Sequence, residues 1–346
     1  MSEAHPPATP QTRPLLDADG SLNIPPFRLP FSQYASAEAM AEQAGRLARL
    51  AELSRSPQLA PASGLTEPDL LHKPWFEAQW RRYPADMAAD QIGGVEVQVF
   101  TPKGGVPARN RDRVLVNLHG GGFMHGWPFG SQIESLPICS VGEIKVISVN
   151  YRLAPGARFP AASEDVAAVY AALLDTYEPS KIGIYGMSAG GMLAAQAIAW
   201  FDKVGLPNPA AIGVVSATLS DGFGGDSGHI TPRMGGYFPV PEPPTAEINH
   251  PYFFGAKRTD PLVAPLNSVE LLRRFPPTLI ATGTRAGDMS GSAYSHIQLV
   301  KAGVDARLYL WDALEHCFMF NPELPESQDF YDILTRFFDE AMAQHA

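Results

Sequence analysis

The chain has 346 residues, 45% of them hydrophobic and 18% charged, with a formal charge of −10 and no run of basic residues. That balance suits a sizeable buried core and argues against nucleic acid or an anionic membrane surface as partner. No apolar run is long enough to span a bilayer. The opening MSEAHPPATPQTRP lacks the order of a secretory signal, and the two cysteines, Cys139 and Cys317, fit neither a metal nor a disulfide pattern. Two lone thiols point to a reducing compartment, so a cytoplasmic protein is expected.

The first thirty residues hold seven prolines and read as an extended or disordered arm. Met40, Ala44, Leu47 and Leu50 then recur at helical spacing among Glu38, Glu42, Arg46 and Arg49, which predicts an amphipathic helix over 36–53. A second apolar-rich segment, PWFEAQW, follows at 74–80. From about residue 90 the pattern changes to strands and helices in alternation. VEVQVF (95–100) alternates with period two. RVLVNLHG (113–120), IKVISVNY (144–151), KIGIYG (181–186), AAIGVVSA (210–217) and PTLIATG (277–283) are short runs rich in β-branched residues, and a later strand is expected at 307–311. Helical stretches at 163–174, 188–201 and 292–301 lie between them. Nearly all-apolar strands alternating with helices imply a mainly parallel sheet covered on both faces.

Residues 219–260 break this rhythm, being rich in Gly, Pro and aromatics with no strand of the core type. They read as a lid inserted after the strand at 210–217, with the N-terminal helices as its other half. The expected division is an N-terminal arm and cap helices (1–83), the first part of the core (84–218), a lid insertion (219–260) and the second part of the core (261–346).

Two stretches carry chemistry. IYGMSAGG (184–191) sets Ser188 between a strand and a helix, with Gly186 and Gly190 leaving room for a tight turn that exposes Oγ. A helix starting there directs its N-terminus at the site and favours developing negative charge. Ser188 could equally be a plain helix cap, a role for which serine is preferred. The second stretch tips the balance: HGGGF (119–123) ends a buried strand with three glycines, costly in chain entropy unless bare N–H groups must approach a substrate oxygen. Gly121 and Gly122, with the N–H of Ala189, would form an oxyanion hole. A phosphate-binding loop is disfavoured, because no G-x-G-x-x-G or G-x-x-x-x-G-K-[ST] string is present.

Together these stretches resemble the hormone-sensitive-lipase branch of the α/β-hydrolase esterases, and YRLAPGARFPAASEDV (151–166) is similar to the same family's next segment. The resemblance runs from about 95 to 340. It implies an α/β-hydrolase fold with an eight-stranded, mainly parallel sheet, helices on both faces and a helical cap, and it implies carboxylic-ester hydrolysis without a cofactor. It also implies that His119 holds the glycine loop. Met187 departs from the family, where Asp or Thr usually precedes the serine.

Of nine histidines, His316 alone sits on a loop after a late strand and before the C-terminal helix, as the chain order Ser…Asp…His requires. The acid should follow the strand at 277–283. The resembling family usually places it where this chain has Ala286, so Asp288 in GTRAGDMS is displaced by two residues. Asp260 precedes that strand, Glu315 adjoins His316, and Asp305 and Asp312 flank the later strand. Asp288 is taken as the acid, with Gly287 letting the loop bulge; a plain helix cap is the competing role. Cys317 reads as a small buried side chain. The aromatics Trp75, Phe76, Trp80, Phe123, Trp127, Phe129, Tyr237, Phe238, Tyr252, Phe253 and Phe254 divide between lining an apolar pocket and holding the cap.

The expected function is a serine carboxylesterase acting on short- to medium-chain esters, with a small-molecule ester as partner and no metal. A lactone or amide hydrolase using the same residues is the alternative. A non-catalytic small-molecule receptor on the same fold is a further rival, which the presence of His316 disfavours. A homodimer is compatible with the sequence.

Overall fold

The computed structural model describes residues 14–55, 67–235 and 248–343. Tyr237, Phe238, the tail histidines His5 and His345 and the middle of the expected lid lie outside the described residues. The chain divides into two compact units, Met1–Gln33 and Tyr34–Ala346. Within the first, β1 (Leu15–Leu16) and β2 (Leu22–Asn23) pair antiparallel across a turn in which Asp17 N–H donates to Ser21 O at 2.8 Å. The sequence reading of an extended or disordered arm did not include this small hairpin. Gly20, at φ +87°, supplies the left-handed residue that the turn needs.

The second unit begins with helices α1 (Ala37–Arg55) and α2 (Glu67–Arg82). Strands β3 (Ala85–Ile92), β4 (Val95–Pro102) and β5 (Val114–Leu118) follow, then α3 (Phe129–Gly142), β6 (Lys145–Val149) and α4 (Ala161–Leu173). Next come β7 (Ile182–Met187), α5 (Ala189–Val204), β8 (Ala211–Val215), α6 (Gly225–Ile230) and the single turn α7 (Val269–Leu272). The chain finishes with β9 (Thr278–Gly283), α8 (Met289–Lys301), β10 (Ala306–Trp311) and α9 (Pro325–Ala343). Eight strands form one sheet in the order β10-β9-β8-β7-β5-β6-β4-β3. The pairs from β10 through β6 are parallel, and β6–β4 and β4–β3 are antiparallel.

Central strands buried on both faces need helices on both sides. Here α4 packs against α5, and α3 against α9. Val116, Ile147, Ile184, Val214 and Ile280 of the strands share one core cluster with Val169, Leu193, Ile198 and Phe201 of α4 and α5.

Two elements have no signal of the kind read from the sequence. β3 is an edge strand with Asp86–Gln91 exposed, so it shows no period-two alternation. Its trace is Gly93-Gly94, at φ +58° and +79°, the pair of left-handed residues that a two-residue hairpin requires. Helix α3 is buried from Ser131 to Cys139, so it has no apolar stripe to reveal it.

Helix α1 turns in a different face from the one its apolar spacing suggests. Met40 is 52% exposed and Leu47 40%, while Gln43 and Arg46 line the cavity described below. Arg46 pairs with Glu315 and donates to Gly235 O at 2.8 Å, and Asn321 Nδ2 donates to Glu42 at 3.1 Å. Among the described side chains of α1, which end at Ala48, these polar contacts tie the helix to the rest of the unit. In α2, Phe76 meets Phe129 edge to face at 5.2 Å, and Gln79 Nε2 donates to the Tyr331 hydroxyl at 2.9 Å. Among the described residues, no helix is long and apolar enough to cross a membrane.

The segments after β5, β7, β9 and β10 all emerge at the carboxyl ends of parallel strands, the edge of an open α/β sheet where ligand crevices form.

Candidate active site

Ser188 stands between β7 and α5 with φ +56° and ψ −121°, a backbone conformation that L residues rarely adopt. The turn exists because its neighbours are small. A Cβ at Gly186 would run into the Gly190 backbone, one at Gly190 into the Leu118 and His119 carbonyls, and one at Gly191 would stand 2.7 Å from Ala217 Cβ. Ser188 N–H donates to Val215 O at 2.9 Å. Its Oγ makes no helix-cap bond and lies 2.9 Å from His316 Nε2.

His316 follows β10 on a loop tied back at several points. Cys317 N–H donates to Ser216 Oγ at 3.0 Å, Ala313 N–H to Thr284 Oγ1 at 2.9 Å, and Arg285 N–H to Leu314 O at 2.9 Å. The last bond joins the loop after β9 to the loop after β10. Gly283 permits this approach, because a Cβ there would collide with the Leu314 carbonyl. The Phe223 ring, from the segment after β8, stands 5.5 Å from the imidazole.

Asp288 is fully buried, with Oδ1 2.7 Å from His316 Nδ1. It occupies the cap position of α8, yet its side chain makes no cap bond. Ser292 Oγ lies 3.3 Å from Oδ2. Of the other carboxylates weighed, Glu315 pairs with Arg46, Asp312 accepts from Thr284 Oγ1 at 2.9 Å, and Asp260 accepts from Leu262 N–H at 2.9 Å. Asp305 lies 3.9 Å from Arg307. Burial disfavours the charged form of His316, but the adjoining Cys317 and the Asp288 carboxylate outweigh it and hold the pKa above its ordinary value.

The glycine loop is fixed by its carbonyls. In a trans peptide the N–H and C=O point opposite ways, so anchoring one end aims the other. His119 Nδ1 donates to Gly120 O at 2.7 Å, which directs the N–H of Gly121 away from the histidine. Gly121 O accepts from Met124 and His125 N–H at 3.0 Å each, which does the same for the N–H of Gly122. Gly121 has φ +116°, and a Cβ there would meet the His125 carbonyl. His119 is fully buried and stacks on Tyr151 at 4.4 Å, and burial pulls its pKa down to about 4, so it stays neutral at pH 7.

Gly121, Gly122, Ser188 and His316 line one cavity of about 280 Å³, with Trp75, Leu314, Phe318, Phe320 and Leu324 as apolar walls. Ala189 opens α5 directly after Ser188. Of the remaining aromatics, Phe123 stacks on Tyr252 at 4.6 Å and meets Phe253 at 5.1 Å, so those three pack together away from the cavity walls. Sequence reasoning did not find Glu134, which is buried and lines the cavity. Among the described residues there is no cluster of His, Cys, Asp and Glu able to hold a metal ion.

The pattern of the family described as alpha/beta hydrolase fold matches residues 115–320. The chain belongs to that family. An acetyl-hydrolase from Streptomyces hygroscopicus is 27% identical over 282 residues, covering 78% of this chain and 92% of the relative. The crystal structure of an esterase named E25 superimposes with a TM-score of 0.74 at 25% identity, covering 92% of this hydrolase and 98% of that chain. An esterase from the bacterial hormone-sensitive lipase family does so with a TM-score of 0.71 at 25% identity, covering 89% and 99%. Within the α/β hydrolases the chain falls in this hormone-sensitive-lipase-like branch.

Proposed function

We propose that this hydrolase is a serine carboxylesterase with Ser188 as nucleophile, His316 as general base and Asp288 as the acid that orients it. The observation that carries the reading is the bonded line from Ser188 Oγ through His316 to Asp288, at 2.9 and 2.7 Å, opening into a cavity walled by the glycine loop. Ser188 Oγ attacks the ester carbonyl as His316 Nε2 takes its proton. The N–H groups of Gly121, Gly122 and Ala189 hold the developing oxyanion, and α5 adds the field of its N-terminus. Collapse expels the alcohol, which takes the proton from His316. Water, deprotonated in turn by His316, then releases the acid.

The cavity lies at the low end of the usual range for ligand pockets, about 300–1,000 Å³. That favours short to medium acyl chains, in keeping with the acetyl-hydrolase named among the relatives. Helices α1 and α2 and the 219–260 segment act as the cap: Arg46 and Trp75 reach the cavity from the helices, and Phe223 reaches the imidazole from the segment.

The test is a panel of p-nitrophenyl esters from acetate to dodecanoate, with a lactone and an anilide, alongside phosphonate labelling read by intact mass. Turnover should be greatest for the short esters, with one adduct per chain that Ser188→Ala abolishes. An adduct that persists in Ser188→Ala, or no hydrolysis of any ester, refutes the reading; faster lactone or anilide turnover reassigns the substrate class.

A further inference from the structure

A buried carboxylate needs a reason, and Glu134 has none in the chemistry described so far. It sits on α3, 1% exposed, in the lining of the cavity that holds Ser188. Its two oxygens accept from different segments. Oε1 takes the N–H of Gly120 at 2.7 Å, and Oε2 takes Asn117 Nδ2 at 3.0 Å. Asn117 Oδ1 in turn accepts from Ser148 Oγ at 2.8 Å, so the carboxylate is anchored to the sheet across β5 and β6.

The Gly120 contact matters because of which peptide it holds. The N–H of Gly120 and the carbonyl of His119 belong to one planar unit. The Tyr151 hydroxyl donates to that carbonyl at 2.5 Å, and Glu134 accepts from the N–H, so the unit is gripped at both ends. The next two peptides along the chain carry the N–H groups of Gly121 and Gly122. Gly120 is also wedged against the nucleophile: a Cβ there would stand 3.0 Å from Met187 O, 3.2 Å from Glu134 Oε1 and 3.4 Å from Ser188 Cβ. A tilt of this unit therefore changes the separation of the glycine loop from Ser188.

We propose that Glu134 is a positioning residue of the hydrolytic site, whose carboxylate fixes the His119–Gly120 peptide and so sets where the Gly121 and Gly122 N–H groups point. The proposal rests on the serine-hydrolase reading above. Burial pushes the Glu134 pKa up to about 8, against the pull of hydrogen bonds from Asn117, Gly120 and the Met187 backbone. That value alone leaves much of the group protonated at pH 7, but its two oxygens each face a donor, Gly120 N–H and Asn117 Nδ2, and this geometry favours the ionised, acceptor-only form on which the positioning role depends. A core residue serving stability alone would be replaceable at no cost to kcat beyond lost folding.

The test compares the parent enzyme with Glu134→Gln, Tyr151→Phe and the reciprocal swap E134Q/N117D. Each is assayed for kcat and KM on p-nitrophenyl acetate, for Tm, and for phosphonate adducts by intact mass. Glu134→Gln keeps the shape but leaves one acceptor for two donors, so kcat should fall roughly 10- to 100-fold, the range for a catalytic group misplaced by about an ångström. KM should stay within about threefold, because ground-state binding does not use the oxyanion contacts. Tyr151→Phe releases the other end of the same peptide and should show the same split. In the swap, the new amide can accept from Gly120 and donate to the new carboxylate on β5, and most of the lost kcat should return. Parent-like kcat in folded Glu134→Gln or Tyr151→Phe overturns the proposal, as does a folded swap with no recovery. If Glu134→Gln does not fold, Tyr151→Phe and the swap decide alone. A parent enzyme that takes no adduct at Ser188 fails the serine reading itself, and the positioning role falls with it.

Discussion

Replacing Asp288 with Asn is the sharpest probe of the site, since it removes a charge from a fully buried position and keeps the shape. Asp288 Oδ1 lies 2.7 Å from His316 Nδ1, which sets the charge centres roughly 4 Å apart in the imidazolium state. At an effective permittivity of about 20, such a pair is worth on the order of 4 kcal/mol. On the serine-hydrolase reading proposed above, the interaction exists in full only once His316 has taken the serine proton, so it would lower the barrier rather than bind substrate, and about three powers of ten in kcat would depend on it. An amide whose NH2 faces Nδ1 would also stabilise the wrong tautomer, with the proton on Nε2, and the loss can reach about ten-thousand-fold. The pH dependence has a definite sign. Asp288 helps hold the His316 pKa up, and catalysis needs the neutral ring, so removing the carboxylate should move the acid limb of kcat/KM to lower pH. The assay is a pH series of p-nitrophenyl acetate hydrolysis with Tm measured in parallel. A variant that keeps kcat within tenfold of the parent while losing Tm would make Asp288 a plain helix terminus and sink the reasoning.

The two glycines proposed as oxyanion donors should differ in their tolerance of a methyl group. Gly121→Ala forces the loop off the His125 carbonyl and should cost about 10²–10³ in kcat, whereas the Cβ of Gly122→Ala meets nothing within 4 Å and should cost mainly about 1–2 kcal/mol of backbone strain at φ +61°; equal kcat losses, read by steady-state kinetics, would contradict this. Arg46→Ala leaves the largely buried Glu315 without its ion-pair partner, so urea unfolding should show a loss of roughly 1–3 kcal/mol, with a raised KM as α1 loosens. Unchanged stability and KM would mean that this pair does not hold the helix over the site. Gly130 lines the cavity with open space where a Cβ would stand, so Gly130→Val should narrow it and lower kcat/KM for hexanoate more than for acetate; a uniform loss across acyl lengths would refute that.

Much of this molecule is legible in its sequence because the backbone makes demands that few residues meet. Ser188 at φ +56° needs Gly186, Gly190 and Gly191 around it, and those glycines stand in the sequence as GMSAGG. Gly121, at φ +116° against a carbonyl, writes itself into HGGG in the same way. The doubly buried strands are visible as unbroken β-branched runs. Asp288 was ambiguous for a physical reason: a carboxylate at a helix start suits a cap as well as an imidazole, and only its actual partner distinguishes them. The loop reaches His316 partly through Gly283, a glycine at the end of a strand whose need arises from Leu314, far along the chain. Glu134 was invisible because a glutamate within a helix is among the commonest of residues, and its burial depends on a face that no periodicity marks. Helix α1 stands where its helical spacing placed it, but Met40 and Leu47 of the apolar set are exposed while Arg46, read as part of the polar face, pairs with Glu315.

The arrangement of the glycine loop bears on why these particular groups meet. A peptide offers one donor and one acceptor, and a buried one left unsatisfied costs about 1–3 kcal/mol. Across 119–122 the protein satisfies the acceptors itself: Tyr151 takes the carbonyl of His119, His119 that of Gly120, and two N–H groups that of Gly121. The donor of Gly120 goes to Glu134. The Gly121 and Gly122 donors belong to residues that face the cavity, where water or a ligand oxygen can serve as partner. An anion gains more from such fixed N–H groups than a neutral carbonyl does, because charge-assisted bonds are roughly twice as strong. On the proposed reading, a loop anchored at its carbonyls would favour the oxyanion over the ester it came from, and that difference, rather than tight binding of substrate, is what would lower the barrier.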